Sequence, residues 1–486
     1  MIPITKLHQV PIPAMDINPS TVAGNIKVIE TFLSRCGLGD SLAAKIAENG
    51  IVDMSDMVSI THGDLGCFEK VLSALKRRSV EFTELERLQF VVFVLGLFHT
   101  KMAAADAIWR ILMPSKEGRH IEDSIFQKLV RKLRPNQWGK IQSTPKFRDQ
   151  HELISEVGTV LRLDIWRVEV AKRGYPTIEA WAASKPGLTE ICEIADILAS
   201  RYVAGEGIKI WKLRAEAQSV HDEEHENVLL VHQYLLLYEE LSYAFNAGDI
   251  GRVETLFPAW ISLFRSTGKH KYCNRVLQFM HQLYFVYPPG LRRAIRYNIL
   301  VNPTGKAHHF RAADWVIELL NLYIKDVYGG EGSNYTKERV LVESPIVLVF
   351  RNCHSNFERN FKLKGLSTAH AKKDMKETFK EIQIYLKNED VNEGKPNRQT
   401  KFHVGDLIPK GTALISDDAA AKQLEAMAKL QATSSVGLEG GASANAEMGG
   451  DQTATNGETI GDLEEEGYWE QWGSLTAEDL STEGIL

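Results

Sequence analysis

From residue 115 to about residue 390, apolar side chains recur every three to four positions with hardly a break, and no other feature limits the fold as strongly. Phe147–Lys172, Leu188–Val203, Glu226–Phe245, Tyr272–Val286, Ala313–Tyr328 and Glu338–Phe350 all carry this period. It gives each helix one apolar stripe, which needs a packed neighbour to leave water. The stops between them are Gly174-Tyr175-Pro176, Lys185-Pro186-Gly187, Gly248-Asp249, Pro288-Pro289-Gly290 and Asn302-Pro303-Thr304-Gly305. Asp249 has the character of a helix N-cap, a carboxylate accepting from the unpaired amides of a first turn. No fixed-length repeat is present, which disfavours a solenoid. The expectation is a mainly α-helical protein with a helical domain over residues 115–390.

The first 114 residues follow another rule. Ile12–Ile17 and Met57–Thr61 are short extended candidates, and Gln89–Phe98 (QFVVFVLGLF) is rich in β-branched and aromatic residues, as a buried strand is. Between the last two, Cys67–Arg77 has apolar residues at 68, 71, 72 and 75, a helical spacing. Strand, helix and strand over this length predict a parallel crossover, hence a small α/β element packed against the helical domain.

Residues 391–486 are expected to be a linker and a disordered acidic tail, since Ala, Gly, Ser, Thr and acids offer too little apolar surface to offset the entropy of ordering. From Gly411 onward there are fifteen acids against Lys422 and Lys429, a net of −13 within a whole-chain charge of −6, so the first 410 residues carry +7. A mildly basic body is compatible with a nucleic-acid partner without being a dedicated basic binder. Tyr468, Trp469 and Trp472, set among acids, have the composition of a docking peptide for a protein partner.

The longest apolar run, Phe90–Phe98, is far short of the roughly 20 residues a membrane span needs, and no secretory leader opens the chain. Cys36, Cys67, Cys192, Cys273 and Cys353 are odd in number and scattered, as reduced thiols are. The expected location is nucleus or cytoplasm, where the sequon at Asn334 stays unmodified.

The block ITHGDL at Ile60–Leu65, followed by RLQFVVFVLGLFHTKMAAADAIWRIL, resembles a large family seen mainly in mushroom-forming fungi, domain-of-unknown-function family 6589. The likeness continues in order through LRLDIWRVE, GDIGRVETLFP, GKHKYCNRVLQFM and NPTGKAHHF, over most of residues 10–365. Family members are usually longer at the N-terminus, so the chain resembles a shortened one, and the family's lineage-specific expansion is like that of transposon-derived genes. The resemblance implies no established activity.

Asp64 follows a strand candidate and precedes a helix, the place where parallel α/β folds gather ligand-binding groups. With Asp16 after the first extended candidate and Asp106 beyond the third, it forms a triplet of acids of the RNase H type. Such a triplet holds two Mg²⁺ ions for phosphodiester cleavage, with His99 as a further ligand beside Asp16 and Asp64. The plainer reading makes Asp64 a helix cap, pairs Asp106 with Arg110, and leaves His99 a packing residue. In the family pattern a glutamate stands about three residues after Tyr272; Arg275 stands there in this chain, which favours an inactive copy. His221-Asp222-Glu223-Glu224-His225 fits the HxxEH zinc-peptidase pattern, but its acids also suit a helix start. Asn302–Lys306 reads as a turn rather than a phosphate loop. Around it Arg292, Arg293, Arg296, Lys306, His308, His309 and Arg311 form a candidate phosphate-facing patch. Arg351–Lys401, with twelve basic residues against seven acids and Phe357, Phe361 and Phe379 interleaved, is a second basic stretch. The two readings that emerge are a catalytically doubtful, RNase H-like nucleic-acid binder and a helical scaffold with an acidic docking tail.

Overall fold

The computed structural model describes residues 1–39, 52–54, 56–113, 124–143, 145–217, 220–328, 336–361 and 374–416. The principal helices are α1 (Val22–Arg35), α2 (Leu65–Arg78), α3 (Leu97–Leu112), α4 (Ile125–Leu133), α5 (Phe147–Lys172), α6 (Glu223–Ala247), α7 (Ile250–Ser266), α8 (Pro289–Asn298), α9 (Ala313–Tyr328), α10 (Lys376–Asn388) and α11 (Leu407–Ser416). The remaining helices are named by their residues. The protein is mainly helical, and among the described residues no helix is long and apolar enough to cross a membrane.

The chain divides into two compact units, one built from residues 1–2, 100–282 and 374–415, the other from 3–99 and 283–361. Each draws on separate stretches of the chain.

The first unit is a helical assembly around α5 and α6. On α5, Leu153, Val157, Leu161, Ile165 and Val168 are buried at helical spacing, as the periodicity requires. A reciprocal cap at Ser124 and Gln127 starts α4. Asp222 caps α6 and Asp249 caps α7; between them Gly248 ends α6 at φ +69°, a left-handed conformation that glycine adopts without a Cβ clash. The stretch after residue 390, expected to be linker, lies on this unit, and Val391, Asn392 and Val404 are buried. Its ties are polar. The Asn227 side chain donates to Phe402 O at 2.6 Å and accepts from Val404 N–H at 2.7 Å, acting as a strand edge would. Tyr234 Oη donates to Gly405 O and accepts from Leu407 N–H. Helix α11 then crosses α7 so closely that a Cβ on Gly411 would stand 1.9 Å from Ser262 O. Residues 417–486, including Tyr468, Trp469 and Trp472, lie outside the described residues, as does Asn334.

The second unit contains the α/β element. Strand β3 (Ser59–Gly63) pairs in parallel with β4 (Val91–Leu95), register Ser59 to Val91, and α2 forms the crossover between them. Phe68 and Val71 of α2 pack on Val91 and Phe93 of β4, and α1 supplies Leu33. Two further two-stranded sheets occur among the described residues: β1 (Leu38–Gly39) parallel to β2 (Val52–Asp53), and β5 (Leu300–Val301) antiparallel to β6 (Arg311–Ala312).

Three expectations are corrected here. The apolar run 89–98 is strand only over Val91–Leu95, because Gly96 turns the chain and α3 starts at Leu97. Residues 12–17 form no strand with any of the described residues. The helix expected over 338–350 breaks at Pro345 into Lys337–Glu343, a short tight turn and Val347–Asn360, since proline cannot donate to the preceding turn.

Candidate functional site

The carboxyl ends of β3 and β4 are where a parallel α/β element would bind a ligand. β3 ends on Gly63 and β4 is followed by Gly96, whose N–H donates to Gly63 O at 3.1 Å. Two helices therefore begin side by side with free amides, an arrangement that draws anions. Here the protein's own carboxylates fill both. Asp64 caps α2, accepting from Cys67 N–H at 2.6 Å. Asp314, from α9, accepts the N–H groups of Phe98 and His99 at 3.1 Å each and His99 Nδ1 at 2.8 Å. A Cβ on Gly96 would stand 2.3 Å from Asp314 Oδ2, so only glycine admits this cap.

The electrostatics follow from burial and these partners. Burial disfavours the His99 imidazolium, but the hydrogen bond and charge of Asp314, with Glu318 and Asp64 nearby, outweigh it and raise the pKa. His99 Nε2 lies 3.9 Å from Glu318 Oε1. At the end of β3, burial outweighs the pull of Asp314 and lowers His62 to about 4, keeping it neutral; its buried Nε2 has no hydrogen-bond partner among the described residues. Burial, then Asp64, pushes the Cys67 thiol up to about 12, which makes it a poor nucleophile.

Of the sequence-derived candidates, the structure thus gathers Asp64 and His99 at one sheet end and adds Asp314 and Glu318, which no local motif announced. It does not bring Asp16 or Asp106 to them as a metal site. Asp16 is an exposed residue on the unpaired 12–17 segment, ion-paired to Lys337. Asp106 belongs to the first unit, where Arg110 Nε at 2.8 Å and Lys269 Nζ at 2.6 Å hold its carboxylate. Burial would raise that carboxyl's pKa, yet the two cations lower it. Among the described residues no group of three or more His, Cys, Asp or Glu side chains is placed to hold a metal ion. The HxxEH pattern also resolves into structure: Asp222 caps α6, leaving His221 before the helix against Glu226, while His232 Nε2 meets Asn392 Oδ1 at 2.8 Å. Arg275 donates to Gln278. Replacing Asp64 by Ala is expected to cost about 1 kcal/mol, the worth of an N-cap, with or without Mg²⁺; a loss seen only with Mg²⁺ in a denaturant titration would restore the metal reading.

Several basic residues of the second unit reach the surface around α8. Helix α8 starts at Pro289 and presents Arg292, Arg293 and Arg296, with Ile295 as its buried contact. The Arg293 guanidinium sits 5.4 Å from the ring centre of Tyr297, and that of Arg296 sits 5.4 Å from Tyr284. Tyr284 and Tyr297 are exposed, and Phe285 is 81% exposed. The chain passes from α8 through β5 into a turn where Asn302 Oδ1 accepts from Thr304 and Gly305 N–H. Beyond it stand Lys306, His308 and His309. Burial first, then the charges of Arg311, Lys306 and His308, lower the His309 pKa, the mark of a locally positive field. Leu7 N–H donates to Asn302 O, which lays Lys6 against Gly305 and adds a cation from far away in sequence. Arg311 is not part of the open patch: it is buried, with Trp315 beneath it.

A model for a family described as a family of unknown function, DUF6589, matches residues 1–370. No curated protein and no solved structure matches the chain.

Proposed function

The chain belongs to the DUF6589 family, and on that footing we propose that it binds nucleic acid through the basic, aromatic surface of α8 and the adjoining Asn302–Phe310 turn, holding it without cutting it. The observation that carries this reading is the pairing of guanidinium groups with exposed rings, the exposed Arg293 with Tyr297 and the half-buried Arg296 with Tyr284, beside Phe285, 81% exposed. Cations track phosphates and flat rings stack on unpaired bases, so the surface suits a single strand better than a duplex. The non-cutting part rests on the strand ends, whose carboxylates are engaged by the protein's own amides and imidazole. Descent from a mobile element, implied by the sequence resemblance, fits a protein that has kept binding and lost cleavage.

The test is a titration of the full chain, and of a chain ending at Ser416, with single- and double-stranded oligonucleotides from about 50 to 200 mM salt. Binding is expected to fall steeply across that range as condensed counterions are recovered. Removing the acidic stretch after residue 416 is expected to strengthen it, because those acids compete with phosphate for the same cations. Charge reversal at Arg292, Arg293 and Arg296 should flatten the logarithmic salt slope by about 2, whereas reversal at Lys422 and Lys429 should not. Absence of binding by either chain at low salt would leave a protein-binding scaffold as the better reading.

A further inference from the structure

Tyr284, Phe285, Val286 and Tyr297 are all exposed on α8 and the stretch just before it. The Arg296 and Arg293 guanidinium groups each lie 5.4 Å from the centre of one of these rings. Neither Arg292 nor Arg293 meets a carboxylate among the described residues. A partner for such a surface brings anions to the cations and flat rings to the rings. The chain holds a segment of that composition outside the described residues. Between Asp462 and Trp472 it carries Glu464, Glu465, Glu466 and Glu470 together with Tyr468 and Trp469, and no lysine or arginine follows Lys429. Indole is also the aromatic face that attracts a guanidinium best. From Ser416 to Tyr468 the chain runs 52 residues, a tether of up to about 170 Å when extended, so reach does not keep the segment from α8. Being tethered, it has an advantage in effective concentration over a free partner of equal affinity.

We infer that residues 462–472 dock on α8 of the same chain, Trp469 and Trp472 against the rings of Tyr284, Phe285 and Tyr297, and the flanking carboxylates on Arg292, Arg293 and Arg296. The segment then offers carboxylates where a single strand offers phosphates, and indoles where it offers bases, and so shuts the surface by imitation. That consequence rests on the proposed function of α8; the docking itself does not. Diffuse competition by acids would depend on charge alone, whereas a seated segment also depends on its rings.

The test compares the full chain with its Trp469→Ala/Trp472→Ala variant, which keeps every charge. A fluorescein-labelled peptide of residues 459–478 is titrated into each at about 50 mM salt, where electrostatic attraction is little screened, and followed by anisotropy. The peptide is expected to bind the variant, and to bind the wild type about tenfold more weakly because its own segment already covers the surface. Adding Arg292→Gln and Arg293→Gln to the variant should weaken the peptide about fivefold, with matching thermal midpoints showing that the chain still folds. A single-stranded oligonucleotide should likewise bind the variant about tenfold more tightly than the wild type. If neither chain binds the oligonucleotide while the peptide behaves as expected, the nucleic-acid reading fails and the docking is supported. Equal peptide binding to both chains, or peptide binding indifferent to the two arginines, would overturn the docking. So would a peptide that binds neither chain, which leaves the segment for another protein. Self-association of the wild type that the variant abolishes would put the segment on a second copy and overturn docking within one chain.

Discussion

Replacing Asp314 by Ala is expected to lower stability by about 3–5 kcal/mol, the usual consequence of removing one partner from a buried ionic contact. One carboxylate here closes the first turn of α3 from 216 residues away and holds the imidazole of the same turn. Its loss strands two amides and His99, all buried, with no water to replace them. Asp314→Asn separates the two roles. An asparagine oxygen still accepts from the Phe98 and His99 amides but cannot pair with an imidazolium. Burial acts against the charged ring and Asp314 overrides it, so the folded pKa stands above the unfolded value of about 6.5. The stability from this pair is therefore complete below about pH 6.5 and is lost as pH rises through the folded pKa. Denaturant titrations should show the gap between wild type and Asp314→Asn widest in mild acid and narrowing as pH rises. A gap that does not change with pH would mean His99 is never charged in the folded protein.

The same contact bears on function. A parallel strand pair opening onto two helix starts is a ready-made phosphate site, and here both starts are closed from within by Asp64 and Asp314. Asp64 and His99 could be read near that edge from the sequence because both lie within a few residues of the strands, although His99 belongs to the first turn of α3 rather than to the strand. Asp314 and Glu318 were not legible there: they lie on the first turns of a helix whose periodicity looks like any other, and only tertiary packing brings them to the site. Asp106 misled in the opposite way. Its partner Arg110 follows from helical spacing, but Lys269, which completes its environment, comes from a distant element. The basic surface was readable on α8, where three arginines are close in sequence, and unreadable at Lys6, which reaches Gly305 only through the backbone contact of Leu7. Helices with steady periodicity, α5 and α9, have the expected bounds to the residue. Errors fell at Gly96 and Pro345, where one residue's backbone chemistry overrides a propensity summed over ten.

Ending the chain at Asp390 is expected to abolish cooperative unfolding of the first unit, whereas ending it at Ser416 should leave the thermal midpoint nearly unchanged. Composition alone put the boundary of the body near residue 390, since the stretch that follows is polar and rich in turns. Its contribution is hydrogen bonding rather than area. Asn392 donates to Asp164 Oδ2 at 2.8 Å and faces His232 Nε2 at 2.8 Å, and both partners are buried on α5 and α6. Burial lowers the His232 pKa to about 4, so the ring is neutral and its Nε2–H donates to the Asn392 oxygen. Removing the stretch strands Asp164, Asn227, His232 and Tyr234 and exposes Ser262 beneath Gly411. At about 1–3 kcal/mol for each unsatisfied buried group, four such groups approach the roughly 5–15 kcal/mol that holds a domain together. Asn392→Ala isolates one link of the chain and is expected to cost about 2–4 kcal/mol, because it orphans both a carboxylate oxygen and an imidazole N–H. Calorimetry and urea titration of the two truncations and this variant would check the order. A chain ending at Asp390 that still unfolds in one sharp transition at the full-length temperature would show that residues 391–416 decorate the unit rather than complete it.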